Sequence, residues 1–99
     1  MRHADRLEIH VLRIDRFGNA ITDLTRTEYD AWNHAGKVIR IETGTQTVSG
    51  LWSTFSDVPR GEAVAYFGSG GRLELAVHGG SALAELELTP GAELSVVAS

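Results

Sequence analysis

The feature that most constrains this chain is its division into short apolar segments separated by turn residues. Apolar and polar side chains alternate with a period of two along residues 7–15 and 72–77, which is typical of half-buried β-strands. Further extended segments cover residues 20–24, 37–42, 46–55 (with a break at Gly50), 62–67 and 93–98. Turn residues stand between them at 17–19 and 68–71 and, with proline in second position, at 58–61 and 89–92. Seven or so short strands predict an all-β fold, a small antiparallel β-barrel or sandwich.

Local signals refine this prediction. The alternation shifts phase at residues 13–15, which indicates a bulge or bend in the first strand. Thr25 and Glu28 have the spacing of a capping box, and Gly36 closes the segment that follows, so we expect a short helix or turn there. Residues 81–86 are rich in Ala, Leu and Glu, which favours one or two further helical turns.

Composition limits the class of protein. The 99 residues fit a single domain, residues 1–99. A formal net charge of −4 without a basic run argues against nucleic acid as a partner. The apolar stretches are far shorter than the roughly 20 residues that span a bilayer, and no apolar signal core follows the first six residues. Because cysteine is absent, we expect no disulfide or thiolate site, and a cytoplasmic location away from membranes.

Most candidates for catalysis or metal binding are weak. The four histidines do not form a metal-site pattern, and we expect no metal; they are His3, His10, His34 and His78. Ser69 lies in a Gly-Ser-Gly-Gly loop that lacks the first glycine of a nucleophile elbow and is followed by a strand, which argues against a hydrolase triad. The backbone of this loop is a candidate for binding an anion, although an ordinary hairpin turn also explains it. We expect no catalytic residue in this chain.

The most informative stretch is residues 15–19. It places a carboxylate (Asp15), an aromatic ring (Phe17) and a carboxamide (Asn19) at one strand-to-turn junction. The carboxylate is suited to an ammonium group, the ring to stacking on a heterocycle, and the amide to the paired donor and acceptor of an adenine edge. Taken alone, the same residues are also explained by an Asx-turn with a core phenylalanine.

Four segments carry a resemblance to a known family. Residues 14–24 read IDRFGNAITDL and resemble the "IDxFGNxxTNI" signature of the S-adenosylmethionine hydroxide adenosyltransferases and their fluorinase and chlorinase relatives. Three more segments resemble family motifs in the same order: TFSDVPRGE at 54–62, YFGSGGRLELAV at 66–77 and TPGAEL at 89–94. Together these segments extend over almost the whole chain.

This resemblance implies a function and partners. The chain would be the C-terminal β-barrel of an enzyme in which water attacks C5′ of S-adenosylmethionine, giving adenosine and methionine. The N-terminal catalytic domain of the family is absent from this chain, so the isolated domain is expected to be inactive. In the family the ligand lies between domains of neighbouring subunits in a homotrimer, S-adenosylmethionine is the substrate, and no cofactor is needed.

The resemblance also implies substrate-binding residues on the methionine side. Asp15 would receive the methionine amino group. Ser69 and the backbone of Gly70 would hold the methionine carboxylate. Some halogenating relatives carry an arginine where this chain has Gly70, and its absence removes a bidentate clamp for that carboxylate.

On the adenine side the resemblance implies four more contacts. Phe17 and Phe55 would form the walls of the adenine pocket, and Asn19 would hydrogen-bond the adenine edge. The backbone at Gly79, next to His78, would meet the adenine as well.

The sequence also departs from the family pattern, and alternatives stay open. Asp23 replaces the usual asparagine and is expected to add negative charge near the pocket, while His78 replaces another asparagine. A non-catalytic nucleoside-binding or assembly module, a halide-using relative and an unrelated small β-barrel are the alternatives.

Overall fold

The computed structural model of the protein describes residues 5–98; His3 lies outside them. The seven strands are β1 (Arg6–Ile14), β2 (Ala20–Thr25), β3 (Ile39–Glu42), β4 (Thr47–Ser49), β5 (Ala63–Phe67), β6 (Arg72–Val77) and β7 (Glu93–Ala98). Two short α-helices, α1 (Arg26–Trp32) and α2 (Ala82–Glu85), and a 3₁₀ turn (Phe55–Asp57) connect them. No helix among the described residues is long and apolar enough to cross a membrane.

The strands form one antiparallel sheet that curls into a nearly closed barrel. Their order is β4-β3-β7-β1-β2-β6-β5, and every neighbouring pair runs antiparallel. The two edge strands approach each other where the backbone N–H of Trp52 donates to the carbonyl of Ala65 over 2.9 Å, next to an isolated bridge between Trp52 and Tyr66. The predicted all-β antiparallel fold is therefore confirmed, and it is the barrel alternative that forms.

The phase shift in the first strand corresponds to a β-bulge. Between Val11 and Arg13 the pairing of β1 with β2 slips by one residue. Val11 belongs to the core, whereas Arg13 lies on the outer face of the barrel. A bulge changes the face that the following side chains occupy, which explains this difference.

The predicted capping box at the start of α1 is present. The hydroxyl of Thr25 accepts a hydrogen bond from the backbone N–H of Glu28, and the Glu28 carboxylate accepts one from the backbone N–H of Thr25 over 3.0 Å. These bonds satisfy backbone groups that a helix end leaves unpaired. The helix then buries Tyr29 and Trp32 against the barrel.

Three details of the sequence prediction were wrong. The break predicted at Gly50 within residues 46–55 is confirmed, because Gly50 adopts a φ of +80° and turns the chain after Ser49, but the extended part predicted after Gly50 forms no strand. The strand predicted over residues 37–42 begins two residues later than expected, at Ile39. The turn near Pro59 closes one residue later than predicted: Glu62 N–H donates to the Pro59 carbonyl over 3.2 Å, so proline occupies the first position.

One hydrophobic cluster fills the barrel. Its largest fully buried side chains come from β3, β4, β6 and β7 and from the segment after α2. A smaller apolar cluster lies on the outer face of β5 and β6, formed by Val58, Val64 and Ala76 with Tyr66 packed against it. The chain that follows β4 thus covers part of the outer wall and leaves the rest of that wall open.

Candidate functional site

The open part of the outer wall is a cleft of about 800 Å³. All seven residues singled out from the sequence line it: Asp15, Phe17, Asn19, Phe55, Ser69, Gly70 and Gly79. They come from four separate segments of the chain. The fold therefore brings together side chains that are up to 64 positions apart in sequence, counting from Asp15 to Gly79.

The floor of the cleft is a row of cross-strand partners. Arg13 on β1 pairs with Ile21 on β2, Ile21 pairs with Glu74 on β6, and Glu74 pairs with Tyr66 on β5. Directly paired residues of an antiparallel sheet present their side chains on the same face. All four residues line the cleft, so the bulge in β1 is what brings Arg13 into this row.

The turn between β1 and β2 forms one wall. The Asp15 carboxylate atom Oδ1 accepts hydrogen bonds from the backbone N–H groups of Phe17 and Asn19, each over 2.9 Å. This is the Asx-turn expected from the sequence. Phe17, however, is 66% exposed, so the interpretation of Phe17 as a core residue is wrong. The turn uses one carboxylate oxygen for its own backbone and holds the ring and the amide at the cleft.

A glycine makes this turn possible. Gly18 has a φ of +81°, a conformation that side chains other than glycine adopt at a cost, and a Cβ there would collide with Ser81 at the start of α2. The carbonyl of Gly18 accepts a hydrogen bond from the backbone N–H of Leu83 over 3.0 Å. The Asx-turn is thereby fixed to the neighbouring helix.

The 3₁₀ turn supplies a second wall. Phe55 is 45% exposed and its ring meets His78 edge-on, with the ring centroids 5.5 Å apart. His78 is held by a hydrogen bond of 2.8 Å between its Nδ1 and the carbonyl of Val58. Asp57 caps the turn by accepting hydrogen bonds from two backbone N–H groups over 3.1 Å each. Phe55 therefore lies at the end of the cleft that Gly79 also lines.

The hairpin loop between β5 and β6 borders the opposite end. Gly71 N–H donates to the carbonyl of Gly68 over 3.0 Å, and Gly68 N–H donates to the carbonyl of Arg72 over 3.1 Å. Ser69 and Gly70 at the tip are exposed and line the cleft. This is the tight loop that the sequence predicted.

Sequence reasoning missed the charged and phenolic side chains of the floor. Burial and the neighbouring Glu74 carboxylate raise the pKa of Tyr66 to about 12. Burial also raises the pKa of Glu74, the hydroxyl of Tyr66 and the guanidinium of Arg13 oppose that rise, and the charge of Asp15 adds to it. The clean alternation of residues 72–77 was a signal for Glu74, but only the strand register shows which residues stand beside it.

Asp23 does not line the cleft, contrary to the expectation that its charge would lie near the site. It lines a separate groove of about 330 Å³ next to Trp32. Its carboxylate accepts a hydrogen bond from the backbone N–H of His10 over 2.9 Å, close to the bulge in β1. A backbone donor beside an irregular ladder needs such a partner, which gives Asp23 a structural role.

Comparison with known proteins identifies the family. Residues 9–95 match the family described as SAM hydroxide adenosyltransferase C-terminal domain. The chain belongs to this family. As a member of the SAM hydroxide adenosyltransferase C-terminal domain family, it is 44% identical over 84 residues to the (R)-S-adenosyl-L-methionine hydrolase of Thermus thermophilus. That match covers 85% of this chain and 29% of the hydrolase.

Solved structures agree with this assignment. An uncharacterized conserved protein from Thermotoga maritima superimposes on 98% of this SAM hydroxide adenosyltransferase C-terminal domain with a TM-score of 0.81 and 25% identity. A conserved hypothetical protein from T. thermophilus superimposes on 91% of it with a TM-score of 0.74 and 42% identity. The chain spans 37% and 34% of those two proteins. The resemblance carried by the four sequence motifs is therefore confirmed at the level of the family.

Proposed function

We propose that this domain is the substrate-binding part of an S-adenosylmethionine hydrolase that forms adenosine and methionine. The observation that carries the proposal is the convergence of seven residues, from four segments, on one open cleft. The name and the 44% identity of the T. thermophilus relative supply the reaction class. The catalytic groups that activate water would come from outside this chain.

The adenine would occupy the end of the cleft that Phe55 and Gly79 line. Phe17 and Phe55 are both large, exposed apolar side chains at the cleft, and stacking on a base gives such rings a partner. The carboxamide of Asn19 has a donor and an acceptor side by side, which matches the adenine edge. Gly79 is exposed and lines the cleft, and the guanidinium of Arg60 lies in the space that a side chain at this position would occupy.

The methionine part would occupy the region between the Asx-turn and the hairpin loop. Asp15 has one carboxylate oxygen, Oδ2, that accepts no hydrogen bond from the described residues, and an ammonium group would satisfy it. Ser69 and the backbone N–H of Gly70 are exposed donors suited to a carboxylate. No arginine stands at position 70, so this contact relies on neutral donors.

Hydrolysis of such a substrate depends mainly on positioning. The sulfonium is a good leaving group, so an enzyme gains most by holding C5′ in line with water and excluding other solvent. The cleft is open on the side away from the barrel, and in our proposal the N-terminal domain of a neighbouring subunit closes it in a homotrimer. This domain would hold both ends of the substrate during the reaction.

A hybrid enzyme tests the proposal. In it, the matching segment of the T. thermophilus hydrolase is replaced by the segment of this chain, and adenosine formation from S-adenosylmethionine is measured by chromatography. We expect the hybrid to form adenosine, and we expect Asn19→Ala to lower kcat/KM. Thr27→Ala, an exposed position on α1 outside the cleft, is the matched control and should leave activity unchanged.

The outcomes separate the alternatives. A hybrid that assembles and binds adenosine but releases none from S-adenosylmethionine would favour the non-catalytic nucleoside-binding module. A hybrid in which Asn19→Ala and Thr27→Ala behave alike would remove the cleft from the function. Adenosine formation that requires added chloride or fluoride would favour the halide-using relative.

A further inference from the structure

Glu74 occupies a defined place in the middle of the cleft floor. Its cross-strand partners are Ile21 on one side and Tyr66 on the other. A Cβ atom built on Gly68 would overlap the Glu74 carboxylate, so the absence of a side chain at Gly68 creates the space in which this carboxylate lies. The carboxylate is therefore directed against the start of the hairpin loop, next to Ser69.

Within the described part of the chain, the charge of Glu74 is incompletely compensated. No ion pair includes Glu74, and its one side-chain hydrogen bond is a long one, 3.4 Å from the hydroxyl of Tyr66. Arg13 belongs to the same row but stands two strands away, which corresponds to a backbone separation of about 10 Å. The guanidinium of Arg72 donates to the carbonyl of Asp23 over 3.3 Å.

The ionised form of Glu74 would consequently gain from a cation in the cleft. Partial burial penalises the ionised carboxylate, and the neighbouring charge of Asp15 penalises it further, which is why the pKa of Glu74 is raised. Arg13 acts in the opposite direction, but among the described residues it forms no ion pair with Glu74. A positive charge placed over the floor by a ligand would supply the compensation that the protein lacks.

The position of Glu74 along the cleft indicates which positively charged group of the ligand it would meet. This inference rests on the proposed function. The Ser69–Gly70 loop lies at one end of β6 and the Phe55–Gly79 wall at the other, and Glu74 is between them, with its carboxylate on the side of the loop. If the methionine carboxylate is held at the first end and the adenine at the second, the sulfonium that joins the two halves of the substrate lies over the middle of the floor. The ammonium group of the methionine part would bind Asp15, on the opposite side of the cleft.

We propose that Glu74 is a specificity-determining residue that favours the charged sulfonium of the substrate over the uncharged thioether of an otherwise similar ligand. The sulfonium carries a permanent positive charge and no hydrogen on sulfur, so it is recognised by a negative charge, an electron-rich oxygen or a π-face, and of these a full negative charge discriminates most strongly against an uncharged thioether. A thioether such as S-adenosylhomocysteine has the same carboxylate, ammonium and adenine but loses this interaction. Glu74 would thus disfavour occupation of the cleft by the thioether.

Titration of the full 99-residue chain tests this by nuclear magnetic resonance, which detects weak binding. The dissociation constants of S-adenosylmethionine and S-adenosylhomocysteine are measured from shifts of the cleft amides in the wild type, in Glu74→Gln and in the control Glu62→Gln, an exposed position outside the cleft. We expect the preference for the sulfonium to fall roughly threefold to tenfold in Glu74→Gln, as for a partly screened ion pair, and to stay unchanged in Glu62→Gln.

A pH series on the wild type provides the same test without a substitution. Because the sulfonium does not titrate, the preference should decline as the pH is lowered through the raised pKa of Glu74. Binding of both ligands with equal affinity, or an equal loss of both in Glu74→Gln, would overturn the specificity role while leaving the proposed function intact. If the cleft amides respond to neither ligand, the same comparison is made in the hybrid enzyme, where failure to bind either ligand would instead contradict the proposed function itself.

Discussion

Two adjacent cross-strand rows of the barrel wall show how differently neighbouring positions are used. In the inner row Leu75 on β6 stands between Ala20 and Ala65, and all three are 0% exposed. In the outer row, one residue along, Glu74 stands between Ile21 and Tyr66 on the cleft floor. The backbone hydrogen bonds belong to the same ladders, so the difference between the rows lies in their side chains.

This comparison separates what holds the fold from what recognises a ligand. The inner row has one large side chain between two small ones, an arrangement that fills a narrow barrel without voids. The outer row adds an arginine, an acid and a phenol to the buried Ile21; the phenol also packs against the smaller apolar cluster, and all three have polar groups that a ligand can contact. Substitutions in the inner row should therefore change the free energy of unfolding, and substitutions in the outer row should change ligand binding.

The largest effect on stability is expected in the inner row. Leu75→Ala would remove a fully buried side chain and leave a cavity, lowering the free energy of unfolding by about 2–5 kcal/mol. Urea unfolding followed by circular dichroism measures this. Leu83→Ala, at an exposed position on α2, is the control and should change stability by about 0.5 kcal/mol or less. Equal effects at the two positions would contradict the division between interior and surface.

The turn that supports the outer face should be nearly as sensitive. Gly18→Ala places a side chain at positive φ and against Ser81, and we expect a loss of about 2–4 kcal/mol. Gly36→Ala is matched in φ, at +67°, but has open space around it, so it should cost only about 1–2 kcal/mol. Urea unfolding of both variants separates backbone strain from collision. If the two losses are equal, contact with Ser81 does not limit this position.

A change at the rim of the cleft should affect binding without affecting stability. Phe55→Ala removes a ring that is nearly half exposed, so unfolding should change little. In the hybrid enzyme, affinity for adenosine should fall by about 1–3 kcal/mol through lost stacking. Calorimetry measures the affinity and urea unfolding the stability. A variant that loses stability but keeps its affinity would reverse the assignment of this residue.

The sequence was sufficient to predict most of the fold. Alternation along residues 72–77 predicted β6, the phase slip near Arg13 predicted the bulge, and Thr25 with Glu28 predicted the helix cap. Of the segment predicted over residues 46–55, the strand before the predicted break at Gly50 is present, but the part after it is not a strand, because its apolar residues contribute instead to a bridge and a 3₁₀ turn that cover the outer wall. Apolar residues indicate burial, but they do not tell which surface a segment covers.

The candidate site was predictable where residues stand close together in sequence or match a family motif. Asp15, Phe17 and Asn19 lie on one turn, so their shared location follows from local structure. Glu74 and Tyr66 could not be found in this way, because they meet only through the register of β5 on β6. Register depends on the whole barrel, and the sequence of one strand does not contain it.

The smallest expected effect concerns Glu74 and the pH dependence of stability. Its pKa is raised in the folded state above the usual value of 4.5, so the folded protein holds this proton more tightly than the unfolded chain. The stability that protonated Glu74 contributes is fully present below pH 4.5 and is lost as the pH rises through the raised pKa. Glu74→Gln keeps the shape of the side chain and removes this titration. At neutral pH the variant should therefore be more stable than the wild type, by less than about 1 kcal/mol because the group is partly exposed.

Urea unfolding of both proteins across a pH series measures the difference, in which the contributions of the other titrating groups cancel. A difference that stays constant with pH would show that Glu74 titrates alike in the folded and unfolded chains. The charge of Glu74 would then already be compensated within the folded protein. Glu74 would in that case gain no free energy from a cationic ligand. The expected result instead links the small loss of stability at neutral pH to the capacity of the cleft floor to attract a positive charge.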